Sequence, residues 1–114
     1  FRDGKGDNGE IPPSKLVSHF GPEGWTRVAD GQWYMHMFAK EQPDLNWANP
    51  EIRQDFIKTI RFWCDRGVDG FRVDVAHSLI KDLEGELPGR DSYDLAAMKN
   101  DGTDRLLDRE GIAV

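Results

Sequence analysis

The feature that most constrains this fold is a helical pattern that ends at a glycine and runs directly into a strand pattern. Apolar residues recur at helical spacing through 50–66, after Asn49, which can cap the helix, and Pro50, which suits the first helical position. Gly67 favours the conformation that ends a helix. β-branched and aromatic residues then fill 68–75. This order predicts the αβ step of an α/β fold.

The segments on either side of this step carry weaker signals. Residues 1–13 are rich in Gly, Asp, Asn and Pro, a composition that forms turns. A short strand is predicted at 32–37, and Pro43 biases the residue before it towards an extended conformation. Beyond the strand pattern, the sequence indicates short helices at 79–84, 91–99 and 103–110.

Composition and charge limit the partners of the chain. Apolar residues make up 38% and charged residues 32% of its 114 residues, a balance typical of globular domains. The net charge of −6 opposes binding to phosphate backbones, whereas a neutral sugar fits without strain. No apolar run approaches the ~20 residues that span a bilayer. We therefore expect neither a nucleic-acid nor a membrane partner.

Cellular location is predicted from cysteine usage and from the start of the chain. The single Cys64 has no second cysteine to pair with and lies in the helical pattern, so we expect a buried thiol in a reducing, cytoplasmic compartment. No basic leader followed by an apolar run occurs at the start. The chain begins at Phe1 in a loop-like segment, as an internal fragment would.

The strand pattern places two opposite charges on one face. Arg72 and Asp74 alternate with apolar residues over 71–75, so both point to the same side of a strand. On spacing alone, a solvated ion pair on an edge strand is the commoner arrangement, worth about 0–1 kcal/mol. In a closed parallel barrel the same positions face the active-site mouth, where an arginine keeps a nucleophilic carboxylate ionised.

Two motifs resemble the α-amylase superfamily of glycoside hydrolases, particularly its α-glucosidase and oligo-1,6-glucosidase-like members. The run DGFRVDVAH at 69–77 resembles the family's fourth-strand motif. The run QPDLN at 42–46 resembles the short motif near the end of the family's inserted second domain. One barrel helix lies between them, which matches the family order, and the resemblance extends from Phe1 to about Leu79.

The resemblance implies a fragment of a (β/α)8 TIM barrel. Residues 1–48 would be the C-terminal part of a small inserted α+β subdomain between barrel strand 3 and helix 3. Residues 49–79 would be barrel helix 3 and strand 4, followed by a loop-rich segment at 80–114. The missing parts of its own barrel are therefore the expected partner of this chain. No cofactor and no metal-ligating set is expected within it.

Site roles also follow from the resemblance. Asp74 corresponds to the nucleophile that forms a covalent glucosyl intermediate, and Arg72 to the arginine that orients it. His77 corresponds to residues that line the substrate cleft, and Val75, beside the nucleophile, to a position that limits the aglycone space. Polysaccharide-cleaving relatives carry a Lys-His pair where this chain reads His77-Ser78, so the Lys is absent and the His comes one position early, and the resemblance favours short α-glucosides.

Aromatic residues supply two further candidates for substrate binding. Tyr34 and Trp47 are candidates for stacking against a sugar, although most such aromatics only pack. Asp44 and Asn46 belong to the expected domain junction, where a structural turn role competes with a functional one. These assignments rest on residue type and position in the sequence.

The expected activity is release of α-linked glucose from short saccharides by a full-length parent. A glucosyl-transferring relative of the trehalose synthase or sucrose isomerase type is an alternative, because the same nucleophile serves both reactions. A non-catalytic barrel used as a binding or assembly subunit is a second alternative. The family's general acid follows the fifth strand and its third catalytic carboxylate follows the seventh. Neither motif occurs here, so the isolated chain is expected to be inactive.

Overall fold

The computed structural model describes residues 1–87 and 104–106. The described residues divide into two compact units, one formed by 1–44 with 83–87 and one formed by 45–82 with 104–106. The elements are strand β1 (Trp25–Arg27), strand β2 (Trp33–Met35), helix α1 (Pro50–Cys64) and a 3₁₀ turn (Ala76–Ser78). No helix of the described ranges is long and apolar enough to cross a membrane.

A β-hairpin organises the first unit. Strands β1 and β2 are antiparallel, with Thr26 opposite Tyr34. Gly31 has φ 93° in the connecting turn, a conformation that glycine adopts without strain. Arg2 pairs with the other side of β2 through two backbone hydrogen bonds to Trp33, each 2.8 Å long. The strand expected at 32–37 therefore forms over its central residues.

The core of the first unit lies against this hairpin. Its buried apolar side chains are Leu16, Trp25, Met35 and Met37. The Gly24 amide donates to the Leu16 carbonyl at 2.8 Å, and a Cβ at Gly24 would lie 2.6 Å from that oxygen. Only glycine permits this approach, which brings the 14–18 segment onto the hairpin.

Local sequence signals determine helix α1 in the second unit. The Asn49 side chain accepts a hydrogen bond from the Glu51 amide at 3.0 Å, and Pro50 follows as the first helical residue. Gly67 has φ 91° and donates to the Cys64 carbonyl at 2.9 Å. The predicted helix thus forms from Pro50 to Cys64, and none of its residues is buried. Cys64 is exposed, so the expectation of a buried thiol is wrong for this chain.

The strand expected at 68–75 is absent. Residues 68–73 adopt no regular structure, Asp74 and Val75 form a turn, and all but Val75 are exposed. A parallel barrel strand is stabilised by neighbours on both edges, and no described segment pairs with this one. Residues 79–84 likewise form no helix. The helix expected at 91–99 lies outside the described residues, as does most of the one at 103–110.

Candidate functional site

The charged pair at the centre of the candidate site is formed as the spacing predicted. Arg72 Nη2 donates to Asp74 Oδ1 at 3.0 Å. The two side chains are 87% and 76% exposed, respectively. A pair this open to solvent contributes only about 0–1 kcal/mol to stability. The contact therefore contributes little to the stability of the fold.

The candidate residues that follow the Arg72–Asp74 pair lie in or next to a tight turn. Val75 lies in the left-handed region, at φ 56° and ψ 30°, and precedes the turn Ala76–Ser78. Its carbonyl accepts from the Ser78 amide at 3.0 Å and from the Ser78 hydroxyl at 3.1 Å. His77 is exposed on this turn. Asp74, Val75 and His77 are thus presented within four consecutive residues.

Trp47 packs against helix α1. Its ring lies 4.7 Å from the ring of Phe56, and it is half-buried. Its carbonyl accepts a 2.7 Å hydrogen bond from Arg53 Nε. Trp47 therefore joins the segment before the helix to the helix's first two turns, which is a packing role.

Tyr34 belongs to the first unit and is also engaged internally. Its hydroxyl donates to the Lys40 carbonyl at 2.6 Å, and its ring meets Phe1 edge-on at 6.3 Å. The hydroxyl ties the segment after β2 back to the strand. Tyr34 keeps partial exposure beside these contacts.

The QPDLN motif serves the backbone at this junction. Asp44 Oδ2 accepts from the Met37 amide at 2.6 Å, and the Asp44 amide donates to the Met35 carbonyl at 2.9 Å. Asn46 accepts from the Ala48 amide at 3.1 Å. These contacts close the 37–44 loop and turn the chain towards α1, which supports the structural reading of both residues.

An aromatic cluster in the first unit was not identified from the sequence. Phe38 stacks on His19 with ring centroids 4.6 Å apart, and Phe20 meets Phe38 edge-on at 5.5 Å. Phe20 is 72% exposed. Phe38 lies 18 residues or more along the sequence from His19 and Phe20, so no periodicity reveals the cluster. The hydrogen bond from the His19 amide to the Met37 carbonyl, 2.7 Å long, helps to bring the segments together.

A pocket of about 790 Å³ in the first unit is separate from the candidate residues. Its lining includes Trp25 and Trp33, and none of the predicted site residues contributes to it. Both indole N–H groups donate hydrogen bonds within the fold. That of Trp25 donates to the Ser14 hydroxyl at 3.0 Å, and that of Trp33 donates to the Gly9 carbonyl at 2.9 Å. Across 1–87 and 104–106, no three His, Cys, Asp or Glu side chains are grouped to hold a metal ion.

The family of the chain is shown by comparison with known proteins. A family model described as the alpha-amylase catalytic domain matches residues 1–107. The chain therefore belongs to the alpha-amylase catalytic domain family. This confirms the resemblance that was inferred from the two sequence motifs.

Two curated relatives illustrate the similarity. The chain is 47% identical over 83 residues to trehalose-6-phosphate hydrolase of Escherichia coli (strain K12), which covers 72% of this chain and 14% of the relative. It is 38% identical over 106 residues to oligo-1,6-glucosidase of Heyndrickxia coagulans, covering 90% of this chain and 19% of the relative. The chain thus spans less than a fifth of the length of either relative.

Solved structures agree at the level of the fold. Isomaltulose synthase from Erwinia rhapontici NX5 is 47% identical, with a TM-score of 0.64 over 70% of this chain and 14% of that one. Trehalulose synthase from Pseudomonas mesoacidophila MX-45 is 40% identical, with a TM-score of 0.65 over 72% of this chain and 14% of that one. The similar proteins therefore include both glycoside hydrolases and enzymes named as synthases of disaccharides.

Proposed function

We propose that this chain is the nucleophile-bearing segment of a retaining α-glucosidase-type enzyme that releases α-linked glucose from short saccharides. The observation that carries the proposal is the 3.0 Å contact between Arg72 and Asp74 within the motif DGFRVDVAH. Membership of the alpha-amylase family gives this contact its chemical meaning.

The proposed mechanism uses Asp74 as one of two carboxyl groups. In the first step, the Asp74 carboxylate attacks the anomeric carbon while a carboxylic acid protonates the leaving oxygen. In the second step, water displaces Asp74 and the configuration at the anomeric carbon is retained. Arg72 would orient the carboxylate for this attack. The acid would come from a part of the parent enzyme beyond this chain, so the isolated chain would not turn over substrate.

The proposed architecture follows the family barrel. Residues 1–48 would close the inserted subdomain, 49–79 would supply helix 3 and strand 4, and 80–114 would follow as loops. A longer parent is supported by the fact that the chain spans 14% to 19% of the relatives described above. The missing barrel segments would pair with the residues of 68–75 that precede Val75 and draw them into the sheet. A cytoplasmic location is part of the proposal, because the lone Cys64 suits a reducing compartment.

Four residues of the chain would contact the substrate. His77 and Val75 share the turn that follows Asp74, which supports contacts close to the nucleophile. Trp47 and Tyr34 are each partly exposed beside their packing contacts, so each remains a candidate for stacking on a sugar.

Glucosyl transfer is the second candidate function. It is supported by the solved structures of isomaltulose synthase and trehalulose synthase, at 47% and 40% identity. The same covalent intermediate would serve, and exclusion of water would decide whether a sugar hydroxyl or water accepts the glucosyl group. A non-catalytic barrel subunit is less well supported, because it would have no use for the oriented Arg72–Asp74 pair.

External-nucleophile rescue tests the assignment of Asp74. In the parent enzyme, Asp74→Ala should abolish hydrolysis of an activated aryl α-glucoside, because no carboxylate remains to form the intermediate. Added azide should then restore turnover and give the β-glucosyl azide, since azide attacks from the face that Asp74 occupied. Asp69→Ala, in the same motif, is the matched control and should keep activity. An Asp74→Ala enzyme that hydrolyses the substrate without azide would refute the proposal.

A further inference from the structure

The backbone at Val75 is strained at the residue that follows the proposed nucleophile. Among the described residues, Val75 is the non-glycine residue with a positive φ, at 56°. The left-handed region is unfavourable for a β-branched side chain, because its Cβ crowds the following carbonyl. Such a conformation persists only where neighbouring contacts hold it. The contacts that hold Val75 therefore decide where Asp74 points.

Ser78 supplies two of those contacts. Its amide and its hydroxyl both donate to the Val75 carbonyl, at 3.0 Å and 3.1 Å. Ser78 is 6% exposed, so solvent competes little for these bonds. The Ser78 carbonyl in turn accepts from Lys81 Nζ, which fixes the far side of the turn. A small, partly buried network thus involves the Val75 and Ser78 carbonyls.

Arg72 cannot provide the same restraint. It reaches Asp74 from a side chain that is 87% exposed, in a segment without regular structure. A solvated ion pair of this kind restrains a backbone weakly. Regular structure therefore lies on the C-terminal side of Asp74, in the turn from Val75 to Ser78.

We propose that Ser78 is a positioning residue, whose hydroxyl holds Val75 in the left-handed conformation and thereby sets the direction of the Asp74 carboxylate. The conformational part of this proposal concerns the chain itself. Its catalytic consequence rests on the proposed function of Asp74. The two parts are separated by the experiments below.

The conformation is tested by NMR on the 114-residue chain. A positive φ shortens the distance between the amide and α protons of Val75, so the wild type should give a strong intraresidue NOE. Ser78→Thr keeps the hydroxyl and should keep this NOE, whereas Ser78→Ala should weaken it severalfold. A strong NOE in Ser78→Ala would overturn the proposal. Loss of the NOE in both variants would also overturn it, because packing rather than the hydroxyl would then be responsible.

A double-mutant cycle tests whether Ser78 acts through the strain at Val75. Glycine tolerates a positive φ, so Val75→Gly should make the hydroxyl dispensable. Ser78→Ala should accelerate hydrogen exchange at the residue-78 amide about 10-fold in the wild-type background, the size expected for one lost hydrogen bond. In the Val75→Gly background the acceleration should be below about 3-fold. Equal acceleration in both backgrounds would refute coupling through Val75.

Kinetics on the parent enzyme test the catalytic consequence. Ser78→Ala should lower kcat about 10-fold with KM nearly unchanged, because misdirection of the nucleophile affects the transition state more than substrate binding. Ser78→Thr keeps the hydroxyl and should therefore keep the wild-type kcat. An unchanged kcat in Ser78→Ala, where azide rescue has already identified Asp74 as the nucleophile, refutes the positioning role alone. Failure of azide rescue refutes the proposed function, while the NMR result stands independently.

Discussion

Arg72 and Asp74 are joined by one hydrogen bond and are largely exposed to solvent, so their contact contributes little to folding. The bond uses one guanidinium nitrogen and one carboxylate oxygen. On the proposed function, the importance of the pair is chemical rather than structural. Loss of either partner should therefore affect catalysis in the parent far more than folding.

Substitution of the pair in the parent enzyme gives the first prediction. Asp74→Asn should abolish turnover, because the amide keeps the shape but loses the nucleophilic charge. Arg72→Met should lower kcat on the order of 10²-fold or more, because it leaves the carboxylate poorly oriented. Steady-state kinetics on a short α-glucoside measure both effects. Arg61→Met on exposed α1 is the control, and a similar loss in that variant would contradict the assignment.

Glu10 provides a pH-dependent signal in the first unit. Hydrogen bonds from its own amide and from the Asn8 amide hold the pKa of the Glu10 carboxyl below its ordinary value of 4.5, with a smaller contribution from the Arg27 charge. The pKa is lowered in the folded state, so the ionised carboxylate stabilises the 5–11 loop above pH 4.5. This contribution is lost as the pH falls through the folded pKa.

The corresponding measurement follows the Asn8 amide by NMR during acid titration. The Asn8 amide shift should change below pH 4.5 in the wild type and lose this transition in Glu10→Gln. Glu23→Gln is the control and should leave the transition in place. A transition that persists unchanged in Glu10→Gln would show that another group causes it.

Helix α1 is the element that local sequence determines most completely. It has no buried residue, so capping and helix propensity replace packing as its source of stability. Isolated helices of about 15 residues are marginal in water, and each terminal contact therefore has a large effect on helix content. The Asn49 cap and the Gly67 end fix its two limits.

Removal of the cap should therefore weaken α1 measurably. Asn49→Ala deletes the 3.0 Å bond to the Glu51 amide and should destabilise the helix by about 1 kcal/mol. Circular dichroism should report lower helix content and a lower melting temperature. Gln54→Ala, on the exposed helix, should raise or maintain helix content instead. Equal loss in both variants would argue against the cap as the cause.

The second unit exposes an apolar surface of the kind that is buried in a complete domain. The exposed apolar residues of α1 and of the segment after it are between 38% and 64% accessible: Phe56, Ile57, Ile60, Phe62, Trp63, Val68, Phe71 and Val73. Apolar patches of this kind drive association in water. The free chain should therefore associate with itself, despite its net charge of −6.

Sedimentation velocity at tens of micromolar chain tests this expectation. The wild type should sediment as oligomers, and Ile60→Glu should weaken association about 10-fold by placing a charge on the apolar side of α1. Gln54→Glu adds the same charge elsewhere on the helix and is the control. A monodisperse monomer that melts cooperatively would contradict both the prediction and the barrel-fragment proposal.

Substrate preference belongs to the complete parent enzyme. The chain reads Asp74-Val75-Ala76-His77-Ser78, without a Lys-His pair at 77–78, and the family resemblance leads us to expect a preference for short α-glucosides. The specificity constants kcat/KM for maltose, isomaltose and sucrose should therefore include at least one above that for soluble starch. Val75→Ala should change the ratio of α-1,4 to α-1,6 cleavage, since it removes β-branched bulk that limits the aglycone space beside the nucleophile. A starch value above every disaccharide would refute the argument.

The sequence by itself determined those features whose interactions are local. Asn49, Pro50 and Gly67 act within a few residues of the helix ends, so their effects could be predicted without any tertiary contact. The same holds for Arg72 and Asp74, which are two residues apart and meet at 3.0 Å. The motifs that carry these residues also identified the family.

Tertiary structure alone decided the features that need a distant partner. Residues 68–75 have strand-forming composition, but a strand also requires neighbours to accept and donate its ladder hydrogen bonds, and no described segment supplies them. The prediction that Cys64 is buried is wrong for the same reason, because a helix face is buried only when another element covers it. The pairing of Arg2 with Trp33 and the left-handed Val75 likewise depend on contacts that residue type and spacing do not encode.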